Sequence, residues 1–209
     1  LYVSSEWRRS IVLEAQARIS ALQALIRPHF LFNSMNTIAS LTRTDPRQAE
    51  EAVEDLSDLL RASLSSSRNR TTLKEELEVA AIYNRIEKLR LGDRLRLRWD
   101  IDDLPMRARI PSLTIQPLIE NAIYHGIELL PDGGDVSVTG KRDGKYLTIA
   151  VTNPVAPGKR RDKDGNKMAL ANIRQRFELA YGSRATVAID EGDDTYSVTL
   201  RFPVDEGES

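Results

Sequence analysis

The sequence of 209 residues contains no cysteine and only two histidines, His29 and His125. Without cysteine the chain can form no disulfide, no thiolate metal site and no cysteine nucleophile, which favours a reducing compartment. Charge is nearly balanced, with 30 lysines and arginines against 31 aspartates and glutamates, so nothing predicts direct binding to nucleic acid or an anionic membrane. No apolar run approaches the roughly 18 to 20 residues that a membrane helix needs. These absences predict a soluble chain that recognises partners through local patches.

The length of 209 residues and the mass of 23.5 kDa fit one large domain or two small ones. The first residue is Leu1, and no signal-peptide pattern follows it. We therefore expect the chain to be part of a longer protein, with any membrane anchor or sensor outside it.

Two helices are predicted in the first third of the chain. Before Pro28, apolar residues recur every three or four positions, as on one face of a long helix. Pro28 interrupts this pattern without ending it, so the helix is expected to bend there and to continue towards Thr44. A second helix is predicted from Pro46 to Leu64, with Thr44 or Asp45 as its cap. The apolar residues of the first stripe are Trp7, Ile11, Ala15, Ile19, Leu22 and Ile26.

The short connection makes these helices antiparallel neighbours, so residues 1–66 are predicted to form a helical hairpin. Such a hairpin has a long apolar face and little of its own to cover it. Two hairpins paired in a four-helix bundle would bury both faces, and we therefore expect a homodimer through residues 7–64. The polar residues 65–70 are predicted to be a linker.

Residues 71–209 are predicted to form an α+β sandwich of helices and antiparallel hairpins. Thr72 and Glu75 have the spacing of a capping box at the first helix, and Pro111 is expected to open the second. Helices are predicted at 73–89, 111–124 and 169–181, and strands at 94–99, 136–139, 146–151, 186–189 and 197–202.

His29 follows Pro28 directly, where the proline removes a backbone donor and bends the helix. An imidazole can accept a phosphoryl group through one ring nitrogen. Asn33 lies four residues further on, hence on the same helical face, where it could position a phosphate or a water. A surface histidine beside a packing bend accounts for the same residues.

A second candidate site is the apolar helix 116–126, which is interrupted by Glu120, Asn121 and His125. A buried face excludes such groups unless they form hydrogen bonds or meet a ligand. Magnesium takes one or two protein oxygens and completes its octahedron with phosphates and waters. Asn121 and the phosphates of a bound nucleotide would therefore be enough to hold a magnesium ion. Asn121 could equally cap the helix or form a hydrogen bond with the backbone.

Residues 158–167 contain five cations, two anions and no apolar residue. They are predicted to form a mobile basic loop before a helix start, where backbone N–H groups bind phosphates and lids close over nucleotides. A solvated surface loop has the same composition. The alternating Arg94, Arg96 and Arg98 lack the interleaved aromatic residues of single-strand binders, so we interpret them as a solvated strand face.

Four motifs run in order through nearly the whole chain. They are PHFLFN at 28–33, LKEEL at 73–77 with Tyr83, Ile86, Glu87 and Arg90, QPLIENAI at 116–123 with His125 and Gly126, and LANIRQRF at 170–177 with Tyr181 and Gly182. Each is weak alone, but their combination is specific. Together they resemble bacterial sensor histidine kinases of the LytS/YehU type.

The resemblance implies a dimerisation and phosphoacceptor hairpin followed by a Bergerat-type (GHKL) ATP-binding α/β sandwich. His29 would take the γ-phosphoryl group of ATP and pass it to a response regulator of the LytTR transcription-factor type. ATP and Mg²⁺ are the implied cofactors, with Asn121 as the magnesium ligand and Glu120 as a candidate general base. A segment outside this chain would anchor the protein in the bacterial inner membrane. The residues implied to bind nucleotide are Asn121, Tyr124, His125, Asn153, Gly158, Gly165, Lys167, Leu170 and Asn172.

Several positions depart from the family pattern. Tyr124 stands where lysine is usual, and Asn153 stands where the adenine-reading aspartate is expected. The glycine-rich segment before the last helix reads GNKMAL at 165–170, so Lys167 and Ala169 replace glycines and restrict the approach of backbone to phosphates. An amide can still accept from adenine's amino group, but without a charge. A second hypothesis is therefore a dimeric scaffold with weak or no ATP binding, which controls a response regulator by binding or dephosphorylation.

Overall fold

The computed structural model describes residues 27–65, 70–101, 103–156 and 163–205. The chain forms two compact units, which divide between Ser65 and Ser66. The helix predicted over residues 7–26 lies outside the described part, as do residues 66–69 of the predicted linker. Within the described ranges, no helix is long and apolar enough to cross a membrane.

The first unit contains two helices in contact, α1 (Pro28–Thr44) and α2 (Pro46–Ser65). Asp45 alone joins them. Its N–H donates to the Leu41 carbonyl at 2.8 Å, and its side-chain oxygen accepts from the Gln48 N–H at 3.0 Å, which caps α2. Apolar side chains are buried on both helices: Phe30 and Ile38 on α1, and Ala49, Ala52, Leu56 and Leu59 on α2.

The prediction that Pro28 bends a longer helix is wrong, because α1 begins at Pro28. Arg27 has φ −59° and ψ 127°, an extended conformation that a following proline favours. Proline is well suited to the first helical position, where a backbone N–H would have no acceptor. His29 therefore lies in the first turn of α1 rather than in the middle of a helix.

The second unit combines helices with a five-stranded sheet. The sheet has the order β2-β4-β5-β7-β6, in which β2 pairs parallel with β4 and the other neighbours pair antiparallel. A separate antiparallel pair joins β1 to β3. The helices are α3 (Leu73–Leu91), α4 (Ile115–His125) and α5 (Lys163–Tyr181), and the strands are β1 (Arg70–Thr72), β2 (Leu95–Asp100), β3 (Arg109–Pro111), β4 (Gly134–Asp143), β5 (Tyr146–Pro154), β6 (Thr186–Glu191) and β7 (Thr195–Pro203).

The core of this unit lies between one face of the sheet and the three helices. All three helices contact the sheet. Alternate residues of the central strands are buried, as the two-residue period of a strand requires. The buried strand residues are Val136, Val138, Leu147, Ile149, Val151, Val198, Leu200 and Phe202, and the helices contribute Leu77, Ala80, Ile119, Ile123, Ile173 and Phe177.

The predicted capping box at the start of α3 is confirmed. The Thr72 hydroxyl accepts from the Glu75 N–H at 3.2 Å, and the Glu75 carboxylate accepts from the Thr72 N–H at 2.9 Å. Pro111, by contrast, does not open a helix. It ends β3, where it pairs with Arg70, and α4 begins at Ile115.

The last helix also differs from the prediction, because α5 begins at Lys163 rather than Ala169. Gly165 and Lys167 therefore lie within the first turns of a helix and not in a loop. Gly158 lies outside the described residues, as does the side chain of Lys167.

A buried carboxylate from α3 holds the start of α4. Glu76 accepts from the N–H groups of Leu113 at 2.7 Å, Thr114 at 2.8 Å and Ile115 at 2.9 Å. Leu113 has φ 55°, in the left-handed region, and this turn brings the three N–H groups together. Arg176 of α5 donates to the Leu113 carbonyl at 3.0 Å. The turn before α4 is thus fixed by both other helices of the unit.

Burial raises the pKa of the Glu76 carboxyl, while the three backbone N–H groups and the charge of Arg176 act against that rise. The cap therefore depends on all of its donors, because a buried carboxylate is costly without them.

We predict that Glu76→Ala strongly destabilises the second unit. It leaves three buried N–H groups without their acceptor, and at about 1 to 3 kcal/mol for each unsatisfied group the free energy of unfolding should fall by about 3 kcal/mol or more. Urea denaturation followed by circular dichroism measures this. The matched control is Glu78→Ala, because Glu78 is exposed and pairs with Lys74 at 3.7 Å, a contact of about 0.5 kcal/mol. Equal effects of the two substitutions would contradict the role of the cap.

Candidate functional site

Helix α4 carries polar side chains on its buried side. Asn121 and His125 are 6% and 8% exposed and lie one turn apart. Tyr124 is partly exposed, and its ring stands edge-on to His125 with centroids 4.9 Å apart. Gln116 donates to the Glu120 carboxylate at 3.1 Å. The helix therefore carries an amide, an imidazole and a carboxylate within two turns.

Asn153 lies at the end of β5 and is 4% exposed. Its amide nitrogen Nδ2 donates to the Pro154 carbonyl at 2.8 Å. This bond fixes the orientation of the amide, so Oδ1 is the atom that can accept from a ligand. An acceptor at this point suits a base that carries an amino group.

Gly126 joins the end of α4 to Asn153. A Cβ atom at Gly126 would overlap the Nδ2 atom of Asn153 and would lie 2.5 Å from the Ala122 carbonyl oxygen and 2.9 Å from that of Pro154. Only glycine fits this space. Sequence reasoning noted the His125-Gly126 pair as part of a motif but missed this contact between a helix end and a strand end.

The other residues implied to bind nucleotide lie on α5. Leu170 is buried, and Asn172 is exposed on the same helix. Helix α5 contacts α4, so the last predicted motif lies beside the helix of Asn121.

The candidate phosphoacceptor lies in the first unit. His29 is exposed in the first turn of α1, and Nδ2 of Asn33 lies 3.3 Å from both ring nitrogens. The two side chains therefore lie together on one helical face, as their spacing predicts. The N-terminal end of a helix carries partial positive charge, which favours a negatively charged phosphoryl group at this position.

Comparisons with known proteins agree with these motifs. Residues 17–95 match the family model described as Histidine kinase. The chain is 32% identical to Sensor histidine kinase BtsS of Escherichia coli (strain K12) over 205 residues, which is 96% of this chain and 36% of BtsS. It is also 32% identical to Sensor protein LytS of Streptococcus agalactiae over 203 residues, which is 91% of this chain and 35% of that protein. The chain is related to the sensor histidine kinases. It spans about a third of the length of these curated relatives.

The fold agrees with a solved histidine kinase. The histidine kinase domain from Erythrobacter litoralis EL346 blue-light activated histidine kinase has a TM-score of 0.51 and 17% sequence identity, and the match covers 92% of this chain and 96% of that one. This likeness concerns the fold, which combines helices with a sheet as in histidine kinase domains.

The donor chemistry of the site fits the magnesium nucleotide that such kinases use. Among the residues that the structure describes, no three His, Asp or Glu side chains are grouped to hold a metal. A magnesium ion here would take Asn121 from the protein and phosphate oxygens from the nucleotide, which is an ordinary arrangement for this ion. The Oδ1 acceptor of Asn153 fits the amino group of adenine.

We predict that Gly126→Ala disturbs the site and lowers stability. The added methyl group would overlap Asn153 and backbone oxygens, and such overpacking costs about 1 to 3 kcal/mol in the free energy of unfolding. Gly192→Ala is the control, because its nearest neighbour would be the Thr195 hydroxyl at 3.2 Å and an exposed turn costs about 0.5 kcal/mol or less. Urea denaturation of both variants checks this, and equal stability would show that the space at Gly126 is not restricted.

Proposed function

We propose that this chain is the ATP-dependent kinase portion of a two-component sensor of the LytS/YehU type. In this proposal His29 accepts the γ-phosphoryl group of ATP and passes it to a response regulator. The observation that carries it is the exposed His29, paired with Asn33 in a first helical turn, within the segment that matches the histidine kinase model. Within the family we propose the subgroup of alginate-regulating sensors, which residues 29–64 resemble.

In the proposed reaction an unprotonated ring nitrogen of His29 forms a bond to phosphorus as the bond to the ADP oxygen breaks. Asn33 orients the ring, and Glu120 is the candidate base for the ring proton. Asn121 would hold magnesium, which neutralises charge on the transferred phosphoryl group. Asn153 accepts from the amino group of adenine, while Tyr124, His125, Leu170 and Asn172 border the nucleotide.

The proposal includes a homodimer through residues 7–64. Exposed apolar side chains on both described helices of the first unit support it: Leu31, Phe32 and Met35 on α1, and Val53 and Leu64 on α2. Residues 65–70 would be the hinge between residues 1–66 and 71–209. We also propose a regulator of the LytTR type and a bacterial inner-membrane protein of which this chain is a cytoplasmic part.

One observation favours a second candidate function, the scaffold with weak ATP binding. Helix α5 begins at Lys163, so residues 165–169 are helical where the family has a glycine-rich lid. Helical backbone uses its N–H groups internally after the first turn, which leaves fewer of them for phosphate. The scaffold is also favoured by the departures from the family pattern at Tyr124, Lys167 and Ala169.

We predict that His29→Gln abolishes autophosphorylation without changing nucleotide binding. The protein is incubated with γ-labelled ATP and magnesium, and label that survives alkali but not acid is scored. Wild type should be labelled and His29→Gln should not, because glutamine has no nucleophilic ring nitrogen. Calorimetry should give the same ATP affinity for both. Wild type that binds ATP but takes up no label would favour the scaffold over the kinase.

We predict that Asn121→Ala weakens magnesium-dependent ATP binding at least about tenfold, because a metal ligand is lost. The affinity is measured by calorimetry with magnesium and again with EDTA, where wild type and variant should converge. Asn36→Ala, an exposed asparagine on α1, is the matched control and should bind as wild type does. An unchanged magnesium-dependent affinity in Asn121→Ala would remove Asn121 from the metal site.

A further inference from the structure

Arg90 connects two carboxylates from separate elements. It lies in the last turn of α3, and Nη2 of its guanidinium forms ion pairs with the carboxylates of Glu87 and Glu128. Glu87 lies one turn earlier on the same helix. All three side chains are largely shielded from water, with exposures of 24%, 4% and 19% for Arg90, Glu87 and Glu128. Burial acts to lower the pKa of Arg90, but the two carboxylates outweigh it and raise that pKa. The Arg90 guanidinium therefore stays charged between the two side chains.

Glu128 belongs to the segment that leaves the candidate nucleotide site. It lies in the short helix Ile127–Leu129, which directly follows Gly126. Arg94 holds the same segment through its backbone, because its guanidinium donates to the carbonyls of Glu128 at 3.3 Å and Leu130 at 2.9 Å. Two arginines from the end of α3 and the turn after it thus hold the chain that follows α4.

The held segment begins at the residue that Asn153 touches. Gly126 is in such close contact with the Asn153 amide that no side chain fits between them. Any shift of the segment moves Gly126, and with it the space in which the Asn153 amide is oriented. The ion pair of Arg90 and Glu128 therefore affects the position of the Asn153 acceptor oxygen through the backbone between Glu128 and Gly126. Neither charged group contacts that oxygen itself.

We infer that Arg90 and Glu128 are positioning residues for recognition of the nucleotide base. By tying residues 126–130 to α3, they set Gly126 against Asn153 and so place the oxygen that accepts from adenine's amino group. This inference rests on the proposed function, in which Asn153 reads adenine. It differs from a purely structural role in one respect: loss of the pair lowers affinity for nucleotides whose base carries adenine's 6-amino group, and not for nucleotides in general.

Glu128→Gln is the variant of choice, because it keeps the shape of the side chain and leaves Arg90 paired with Glu87. Affinities for ATP and for inosine triphosphate (ITP), whose base has no amino group, are measured with magnesium, together with the thermal midpoint of unfolding. We expect ATP binding to weaken about fivefold to tenfold, as for the loss of one hydrogen bond, while ITP binding stays unchanged. In the Asn153→Ala background, Glu128→Gln should have no further effect on ATP, because the oxygen that it positions is gone.

Asp135→Asn is the matched control. Asp135 pairs with Arg96 at 2.5 Å and Arg98 at 2.8 Å, so the substitution also neutralises one carboxylate of an arginine pair, but this pair joins β4 to β2 and not residues 126–130 to α3. ATP binding should be unaffected. Equal ATP affinities for Glu128→Gln and Asp135→Asn would overturn the inference. Parallel losses for ATP and ITP, or additive effects with Asn153→Ala, would also overturn it and leave a structural ion pair. Wild type that binds no ATP would instead refute the proposed function itself.

Discussion

One buried carboxylate sets the geometry of the second unit. Glu76 can accept three N–H groups only because Leu113 turns the chain through a positive φ and because Arg176 holds a carbonyl of the same turn. The cost of burying a charge is offset by these donors together, so the arrangement forms as a whole or not at all. The start of α4 is fixed in this way. The positions of Asn121 on the helix and of Gly126 at its end are fixed with it.

The sequence predicts those parts of the fold whose signals are local. The capping box of Thr72 and Glu75 is read from four consecutive positions, and apolar and polar residues alternate along the strands. Local sequence does not decide the structure at Pro111, because proline suits both the first turn of a helix and the end of an edge strand. The choice is made by pairing with Arg70, which lies in another part of the chain. The cap by Glu76 is equally non-local, and only the motif that contains the residue hinted at it.

The same distinction applies to the candidate site. His29 and Asn33 are four residues apart on one helix, so their proximity follows from helical geometry alone. The contact between Gly126 and Asn153 joins the end of α4 to the end of β5 and follows from no spacing rule. The hydrophobic periodicity also does not predict the contacts of Arg90 and Arg94 with the chain after α4. Their partners there are a carboxylate and backbone carbonyls of a turn that is distant in sequence.

In the proposed function, the departures at Asn153 and in the glycine-rich segment act on different parts of the nucleotide. At Asn153 the surroundings are fitted to an amide: an aspartate in the same orientation would set a carboxylate oxygen against the Pro154 carbonyl, where Nδ2 now donates. The neutral residue is thus matched to its neighbours, which supports retained recognition of the base. The early start of α5 would act instead on the phosphates in that proposal, because it draws backbone N–H groups into helical bonds. If both hold, base recognition supplies most of the nucleotide affinity, and ADP binds about as well as ATP.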